Sequence, residues 1–488
     1  MHLAELLIGR KALTEDSIYR ALDRQTAEGG SLGDNIIALG LLTEGQFNAI
    51  MKSVVSKTPA LPRTIQETGS TITKALELLL KFMLVESHDT ISSLSTASRL
   101  PRQIVRQLFE EAVVRKLVTP SGTTGTGLFP EIRYDLSDAG HASAYEGLNR
   151  NAYLGPAPVT LAAFQMQIRK QLIKTELLTA EDLRVGLQGL VVPEGYIRKL
   201  LPAMNAGSNV LLFGAPGNGK TTVASRIARL FRDVIFIPYA VEIAGQIMRV
   251  FDASLHTPVV SDATAHNIAM KEGIQHEVFD DRWVACWRPF VVAGGELTMD
   301  MLDLQQDKEA KFYEAPLHLK ATNGVFLIDD FGRQNLEPKQ LLNRWIGPME
   351  SHVDYLKLHT GKSFQVPFDL LLIFSTNIDP QALMDPAFLR RIAYKIELYA
   401  PNKADFHRIF AQASKRHGLS LSEEVFEFIV DILSIRGKFG LANFQPQFIC
   451  EQVTQICRSF SLEPIITKPL ASEALANLYV QIERETER

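Results

Sequence analysis

Cysteine is scarce in this chain, with three residues among 488. Cys450 and Cys457 lie seven positions apart in a helical pattern, which separates them by about 10 Å along the helix axis, too far for a disulfide. No spacing typical of zinc ligands occurs either. Together with Cys286, these residues are therefore expected to be buried thiols in a reducing cytoplasm.

The sequence also lacks long apolar runs and an excess of positive charge. No stretch approaches the roughly 18 apolar residues of a membrane span, and the N-terminal residues do not have the layout of a signal peptide. With 51 Lys and Arg against 55 Asp and Glu, the net charge is −4, which argues against a generally basic nucleic-acid binder. We therefore expect a cytoplasmic protein of about two to four domains with no membrane insertion.

The most informative stretch is 209–222, where an apolar run of buried-strand character leads into a glycine-rich loop and then a helical pattern. Gly214, Gly219, Lys220 and Thr221 fit the P-loop pattern G-x-x-x-x-G-K-[ST]. Such a loop closes backbone N–H groups around phosphate oxygens, while the lysine reaches the β- and γ-phosphates and the hydroxyl ligates Mg²⁺. We expect Lys220 to face solvent in the absence of nucleotide, so that Lys220→Ala removes ATP binding without unfolding the chain. The predicted ATP-binding residues are Gly214, Ala215, Pro216, Gly217, Asn218, Gly219, Lys220, Thr221 and Thr222.

A second nucleotide signal is the stretch 324–331, in which four apolar residues precede two aspartates. Ligands gather at the carboxyl ends of strands in open α/β sheets. Asp329 is therefore predicted to hold Mg²⁺ together with Thr221, and Asp330 to polarise the attacking water. The alternative is an apolar strand that simply ends in Asp at a turn. The P-loop upstream favours the first interpretation.

Two further motifs follow: an apolar strand that ends in Asn377, and a helix start that leads to Arg390 and Arg391. P-loop, acidic strand, Asn-ended strand and arginine pair, in this order, resemble the AAA+ ATPases from about Val159 to the C-terminus. The resemblance implies that Asn377 orients water and the γ-phosphate. It also implies that an arginine reaches the neighbouring subunit's site in a ring, with Arg391 the first choice and Arg390 the second. A surface ion pair is the alternative for either arginine.

The stretch 354–368 reads as two strands around Thr360-Gly361, just before the Asn-ended strand. It resembles the pre-sensor-1 hairpin of the clade that holds MoxR, the NtrC-type activators, RuvB and the MCM helicases. A possible inserted hairpin covers 282–295. By resemblance, such insertions face the central pore, although its aromatic residues are equally compatible with a core.

Two departures from the AAA+ pattern stand out. Asp330 occupies the place where the family usually has Glu, which withdraws the carboxylate by about 1.5 Å and weakens water activation. The sensor-2 arginine expected near the third lid helix is also missing, because 443–448 offers only Gln445 and Gln447, with Arg436 nearby. The lid is predicted to contain four helices, at 405–417, 422–433, 446–460 and 470–482.

The first fifty or so residues repeat after a shift of about 29 positions, each copy reading as a helix, a turn with a Thr N-cap and a second helix. They resemble the N-terminal domain of the type II secretion and type IV pilus assembly ATPases, the GspE/MshE kind, some of which bind cyclic di-GMP. The second copy keeps Gly33 and Gly40, but the first has Ala4 and Lys11 in those places, and the expected arginine is absent from both. We therefore favour a docking module over a cyclic di-GMP receptor.

Residues 71–148 read as three helices followed by a Gly-rich hairpin, which resembles a winged helix-turn-helix. Outward-facing Arg and Gln side chains of the third helix are candidates for DNA contact, but Glu110 and Glu111 follow at once and the wing adds little charge beyond Arg133. Protein–protein contact is favoured over DNA binding. The candidate contact residues are Arg102, Gln103, Arg106 and Gln107.

The predicted fold is thus multidomain, an α/β P-loop AAA+ core with a helical lid, preceded by a small all-α domain and a winged-helix-like domain. We expect an Mg²⁺-dependent ATPase ring, in the family usually a hexamer, that remodels a protein partner selected by its N-terminal domains. The alternatives are a DNA-engaging motor or regulator, and a slowly hydrolysing nucleotide-dependent scaffold. The predicted parts are 1–56 (helical domain), 57–70 (linker), 71–148 (winged-helix-like), 149–158 (linker), 159–400 (ATPase core) and 401–488 (lid).

Overall fold

The computed structural model describes residues 4, 7–8, 12–29, 31–55, 57–124, 130–259, 279–436 and 440–478. At its N-terminal end, the side-chain oxygens of Thr14 and Ser31 cap two helices. Leu7, Ile18 and Ile36 are buried in a small core between the helices. The helices of this part are α1 (Glu15–Glu28), α2 (Leu32–Ala38) and α3 (Glu44–Val55).

The segment 57–70 runs against the rest of the chain. Lys57 forms an ion pair with Asp233, and its carbonyl oxygen accepts a hydrogen bond of 2.6 Å from Gln167 Nε2. Ile65 is buried among the helices that follow. These contacts hold the segment in place on both sides.

Three helices and an antiparallel pair of strands follow in the order expected from the sequence, and a further helix packs against the first of them. The hydroxyls of Thr71 and Thr90 cap the first two helices. The strands pair with Val118 opposite Leu136. These elements are α5 (Ile72–Glu86), α6 (Ile91–Ser98), α7 (Arg102–Val114), β1 (Val118–Thr124), β2 (Glu131–Leu136) and α8 (Asp138–Arg150), and the short helix α4 (Ile65–Thr68) precedes them.

The glycine-rich loop follows a strand of a five-stranded parallel sheet, which confirms the predicted α/β core. The strand order is β16-β4-β15-β12-β9, and every neighbouring pair is parallel. Helices cover both faces, so the inner strands β4, β12 and β15 are almost continuously apolar and buried. Because the strands are parallel, the carboxyl ends of β4, β12 and β15 meet at one edge. The strands are β4 (Val210–Phe213), β9 (Phe290–Ala293), β12 (Val325–Ile328), β15 (Leu371–Thr376) and β16 (Tyr394–Glu397).

The remaining strands of the core form a second apolar centre beside this sheet. One group has the order β10-β11-β7-β6-β3, and β5 pairs with β8. These strands are β3 (Val159–Thr160), β5 (Val234–Pro238), β6 (Ala240–Ile243), β7 (Gln246–Arg249), β8 (Trp283–Trp287), β10 (Gln305–Gln306) and β11 (Tyr313–Glu314).

The hairpin predicted at 282–295 is wrong. Its two strands belong to different sheets, since β8 pairs antiparallel with β5 whereas β9 pairs parallel with β12. Between them, the Arg288 guanidinium is buried against Glu176 at 2.7 Å, and the Pro289 carbonyl accepts a hydrogen bond of 2.8 Å from Val325. These anchors send the chain from one sheet to the next instead of turning it back. Trp283 is part of the core.

The hairpin predicted before the Asn-ended strand is confirmed. Strands β13 (Val353–Lys357) and β14 (Ser363–Pro367) pair antiparallel. At its base, the buried Asp354 carboxylate accepts hydrogen bonds from Arg344 at 2.6 and 2.9 Å and from His318 at 2.8 Å. A charged cluster therefore fixes the hairpin to the core.

The lid helices are confirmed with small changes at their ends, except that the predicted end of the last helix lies outside the described residues. They are α17 (Lys403–His417), α18 (Glu423–Arg436), α19 (Gln445–Phe460) and α20 (Lys468–Leu478), joined by the short parallel pair β17 (Ser420–Leu421) and β18 (Ile465–Ile466). The other helices are α9 (Leu161–Lys170), α10 (Ala180–Gly186), α11 (Glu194–Ala206), α12 (Lys220–Ala228), α13 (Leu317–Lys320), α14 (Pro338–Ser351), α15 (Pro380–Leu383) and α16 (Pro386–Arg391). In the described ranges, no helix has the length and apolar character needed to cross a membrane.

Candidate nucleotide-binding site

The loop between β4 and α12 has a backbone that only glycine accommodates. Gly214, Gly217 and Gly219 have φ values of 140°, 80° and 82°. A Cβ atom on Gly214 would lie 2.3 Å from the Leu398 carbonyl oxygen, and one on Gly217 would lie 2.3 Å from the Phe444 ring. The loop is thus pressed between the sheet edge and the lid, at the N-terminus of α12, where backbone N–H groups attract anions.

Lys220 is buried, with 6% of its surface exposed, so the expectation that it faces solvent is wrong. Its Nζ donates hydrogen bonds of 3.0 Å to the carbonyl oxygens of Gly214 and Ala215 and a further one to Asn377 Oδ1. Burial lowers the pKa of Lys220, although the charges of Asp330 and Asp329 oppose this shift. The ammonium therefore lies inside the loop and is held there by oxygen atoms.

Thr221 and Asp329 meet as the sequence predicts for an Mg²⁺ site. Thr221 Oγ1 lies 2.8 and 3.0 Å from the two carboxylate oxygens of Asp329 at the end of β12. A hydroxyl and a carboxylate are the hard oxygen ligands that Mg²⁺ prefers. The described ranges contain no group of three or more His, Cys, Asp and Glu side chains that could hold a metal. These residues fit an ion that takes its other ligands from phosphate and water.

Asp330 and Asn377 are also brought together, from β12 and β15. Asn377 Nδ2 donates a hydrogen bond of 2.7 Å to Asp330 Oδ1, while its Oδ1 accepts the bond from Lys220. Asp330 has a φ of 48°, a left-handed conformation that aspartate tolerates better than most residues. One amide thus connects the loop lysine to the predicted water-polarising carboxylate.

A cleft of about 970 Å³ opens beside these residues, between the sheet edge and the lid. One wall is apolar and includes Leu190 and Val192, which precede α11, and Tyr196 in its first turn. Two exposed cations, Arg333 and Arg416, line it as well and were not predicted from the sequence. Arg333 follows Asp330 closely in the chain and lies in a turn, which is a local signal, whereas nothing near Arg416 distinguishes it from a surface residue of α17.

The two glutamines considered in place of a sensor-2 arginine have different positions. Gln445 is 1% exposed and its amide bonds with Gly440 and Ala442, so it stabilises its own loop. Gln447 lines the cleft, and its buried Oε1 has no hydrogen-bond partner in the described part of the chain. The side chain of Arg436 lies outside the described residues.

The lid contacts the glycine-rich loop directly. Asn443 Nδ2 donates a hydrogen bond of 3.0 Å to the Asn218 carbonyl, and Asn218 Nδ2 donates one of 3.1 Å to the Leu398 carbonyl. Within the described ranges, the buried Oδ1 atoms of Asn218 and Asn443 have no partner. Both residues line the cleft.

The arginine pair of α16 does not join this site. Arg391 donates hydrogen bonds of 2.6 Å to Glu350 Oε1 and 2.8 Å to the Ala387 carbonyl. The side chain of Arg390 is exposed and makes no hydrogen bond or ion pair with the described part of the chain. Neither residue lines the cleft. Arg391 thus has the surface ion pair that was the alternative interpretation.

Comparisons with known proteins reach only part of the chain. A family described as Domain of unknown function (DUF8689) matches residues 402–477, and no curated protein matches. A mutant of RuvB from Thermotoga maritima is 15% identical over 62% of this chain and 72% of its own, with a TM-score of 0.33. The Thermotoga maritima RuvB Holliday junction branch migration motor is 16% identical over 59% and 70%, with a TM-score of 0.33. NtrX from Brucella abortus is 12% identical over 71% and 62%, with a TM-score of 0.35. These values are too low to assign a family.

Proposed function

We propose that this chain is an Mg²⁺-dependent AAA+ ATPase that assembles into a ring and remodels a protein partner. The observation that carries the proposal is the meeting of Lys220, Thr221, Asp329, Asp330 and Asn377 at one edge of a parallel sheet. They surround the N-terminus of α12 beside a cleft of about 970 Å³, which is the size of a site for a small molecule. Their order in the sequence is that of the AAA+ motifs.

Each side chain has a role that follows from its chemistry. Lys220 exchanges its two carbonyl partners for phosphate oxygens, whose charge makes the stronger hydrogen bonds. Thr221 and Asp329 supply two hard oxygen ligands to Mg²⁺, which would neutralise charge on the phosphate oxygens when bound. Asp330 accepts a proton from the attacking water, and Asn377 holds the Asp330 carboxylate in position.

Equilibrium binding of a fluorescent ATP analogue, with Mg²⁺ or with EDTA, tests the site. We expect Lys220→Met to weaken binding at least about tenfold, because it removes the ammonium but keeps an apolar stem in the buried position. Asp329→Asn should reduce the gain in affinity that Mg²⁺ provides. Lys199→Met is the matched control, since Lys199 is an exposed lysine on α11 outside the cleft. Unchanged affinity in Lys220→Met, checked for folding by thermal unfolding, would contradict the proposed site.

Ring assembly and the protein partner rest on the AAA+ resemblance and need their own measurement. We expect light scattering of the full chain to show a larger mass with a non-hydrolysable ATP analogue and Mg²⁺ than without nucleotide. The mass of a single chain, 54.4 kDa, under both conditions and at concentrations above those used for turnover would contradict assembly.

A DNA-engaging regulator is the second candidate, favoured by the exposed face of α7. Arg102, Gln103, Arg106 and Gln107 are all exposed there, as predicted, while Arg133 of the hairpin is held by Asp89. Only two cations of α7 are then free to meet phosphates, which is few for DNA binding. Fluorescence anisotropy with duplex DNA, comparing the wild type with Arg102→Ala/Arg106→Ala, separates the candidates. Salt-sensitive binding lost in the double variant favours the regulator.

A further inference from the structure

A second cavity has a volume of about 220 Å³. It shares no lining residue with the cleft beside the glycine-rich loop. It is enclosed by α5, the end of α8 and the turn between β6 and β7. An engineered cavity of about 150 Å³ binds benzene. The second cavity therefore has room for a molecule somewhat larger than benzene, and it is too small for a nucleotide or for cyclic di-GMP.

Lys81 of α5 lines this cavity with 2% of its surface exposed. Its Nζ donates hydrogen bonds to the Asn151 carbonyl oxygen at 3.1 Å and to Asn151 Oδ1 at 2.9 Å. Both acceptors are neutral, and no acceptor in the described part of the chain takes the third N–H. Burial lowers the pKa of Lys81 to about 8, with the charge of Glu77 opposing the shift and that of Arg150 adding to it.

The other charged groups around the cavity are already paired. On α5, Glu77 pairs with Arg150 of α8 at 3.0 Å, and Lys74 pairs with Glu242 of β6. Arg282, next to β8, pairs with Asp280 at 2.7 Å. Lys81 is thus the cation of this cavity that has no carboxylate partner among the described residues. A buried charge without a counter-ion is costly, and an anion beside it removes that cost.

We propose that this cavity binds a small organic monoanion, with its carboxylate at Lys81 and an apolar body against the aliphatic lining. One uncompensated positive charge matches one carboxylate, whereas a phosphate dianion would bring a second charge with no cation left to pair. The ligand would connect α5 with β6 and β7, whose contact at this point includes the Lys74–Glu242 pair. The site does not depend on the proposed ATPase activity. The aliphatic lining residues are Ile65, Leu78, Leu100, Ile104, Ala157 and Ile247.

Ligand-observed fluorine NMR on the full chain at pH 7, with 4-fluorobenzoate as the probe, tests the proposal. We expect a Kd of about 1 mM or tighter, which is in reach for a ligand of this size. The isosteric neutral probe 4-fluorobenzamide should bind at least about tenfold more weakly. Lys81→Met keeps the buried stem and removes the charge, so its affinity for 4-fluorobenzoate should fall at least about tenfold. Lys199→Met should bind the probe with the affinity of the wild type.

A pH series on the wild type provides a second measurement that does not require Lys81→Met to fold. The probe stays ionised above pH 6, so its affinity should fall as the pH rises through about 8, where free Lys81 loses its proton. The other charged side chains that line the cavity are Lys74, Glu77, Arg150, Glu242 and Arg282. Absence of binding at 10 mM probe, equal affinity of the charged and neutral probes, or an affinity that does not change between pH 7 and pH 9.5 would overturn the proposal.

Discussion

Arg391 is bound to Glu350 of its own chain, and this contact allows its two roles to be separated by magnitude. The Nε–Oε1 distance is 2.6 Å, with 29% of the Arg391 side chain and 54% of the Glu350 side chain exposed. Such an ion pair contributes about 0–1 kcal/mol, because solvent screens it. An arginine that completes a neighbour's site accelerates hydrolysis about 10³–10⁵-fold, or about 4–7 kcal/mol. The effect of a trans arginine on the activation free energy of hydrolysis is therefore several kilocalories per mole larger than the effect of the ion pair on the free energy of unfolding.

Two single substitutions use this difference. If Arg391 acts in the neighbouring site, Arg391→Ala should bind ATP normally and hydrolyse it at least about 10³-fold more slowly. Glu350→Gln, which releases the same arginine from its partner, should retain turnover. Both variants should change the free energy of unfolding by no more than about 1 kcal/mol. Phosphate release at saturating ATP and denaturant unfolding give the two quantities.

A site completed by a neighbouring subunit is active only in the assembled protein, so the dependence of turnover on assembly is a second test of the trans role. Turnover per subunit should rise with protein concentration, and a mixture of Lys220→Met with Arg391→Ala should recover activity where an intact loop meets an intact arginine. Arg390→Ala tests the second candidate for this role, an exposed arginine of the same helix without an ion pair among the described residues. It should retain turnover if Arg391 is the arginine that acts in the neighbouring site. Turnover independent of concentration, with no recovery on mixing, would refute the trans role. Equal losses in Arg391→Ala and Glu350→Gln would assign the effect to the ion pair itself.

Asp330→Glu moves the carboxylate forward by about 1.5 Å and should raise ATP turnover. Its cost in the free energy of unfolding, from a longer side chain at a left-handed backbone position, should be less than about 1 kcal/mol. Lower turnover would show that the short carboxylate fits the site. Asp354→Asn should destabilise the chain by about 3 kcal/mol at pH 7, measured by urea unfolding, because it leaves Arg344 and His318 without their carboxylate. Although burial raises it, hydrogen bonds from His318 and Arg344 hold the pKa of Asp354 well below its usual range. This stabilisation is complete above about pH 4 and is lost as the pH falls through the lowered pKa, so the difference from Asp354→Asn should shrink in acid; a constant difference would contradict the charge argument. Calorimetry of the full chain with cyclic di-GMP should show no saturable binding in the low-micromolar range, and micromolar binding would identify the N-terminal helices as a receptor.

The parts of the site that the sequence predicts are those that depend on local pattern and one rule of topology. Gly214 and Lys220 are in a fixed spacing, and apolar runs before Asp329 and Asn377 mark buried strands. Because parallel strands present their carboxyl ends at one edge, these residues were expected to meet, and hydrogen bonds join them in the structure. The lid helices were predictable for a similar reason, since their apolar residues recur at helical spacing.

The features that could not be predicted depend on contacts between distant parts of the chain. Burial of Lys220 requires the Gly214 and Ala215 carbonyls and Asn377 to turn towards it, which no pattern in the loop specifies. Residues 282–295 look like a hairpin because strand periodicity does not identify the pairing partner, and Arg288 finds its carboxylate 112 positions away at Glu176. The partner of Arg391, Glu350, lies 41 positions away in the chain, so no local pattern identifies this ion pair either.

The region that matches a domain of unknown function, residues 402–477, has a physical role in this chain because it forms one side of the cleft. Arg416 and Gln447 face the cleft from the lid, and Asn443 holds the glycine-rich loop through the Asn218 carbonyl. Lys220 lines the cleft from the start of α12, so a ligand that fills the cleft touches both sides. Such a ligand stabilises the arrangement of lid and loop described above by the difference between its affinity for this arrangement and its affinity for one in which they are apart.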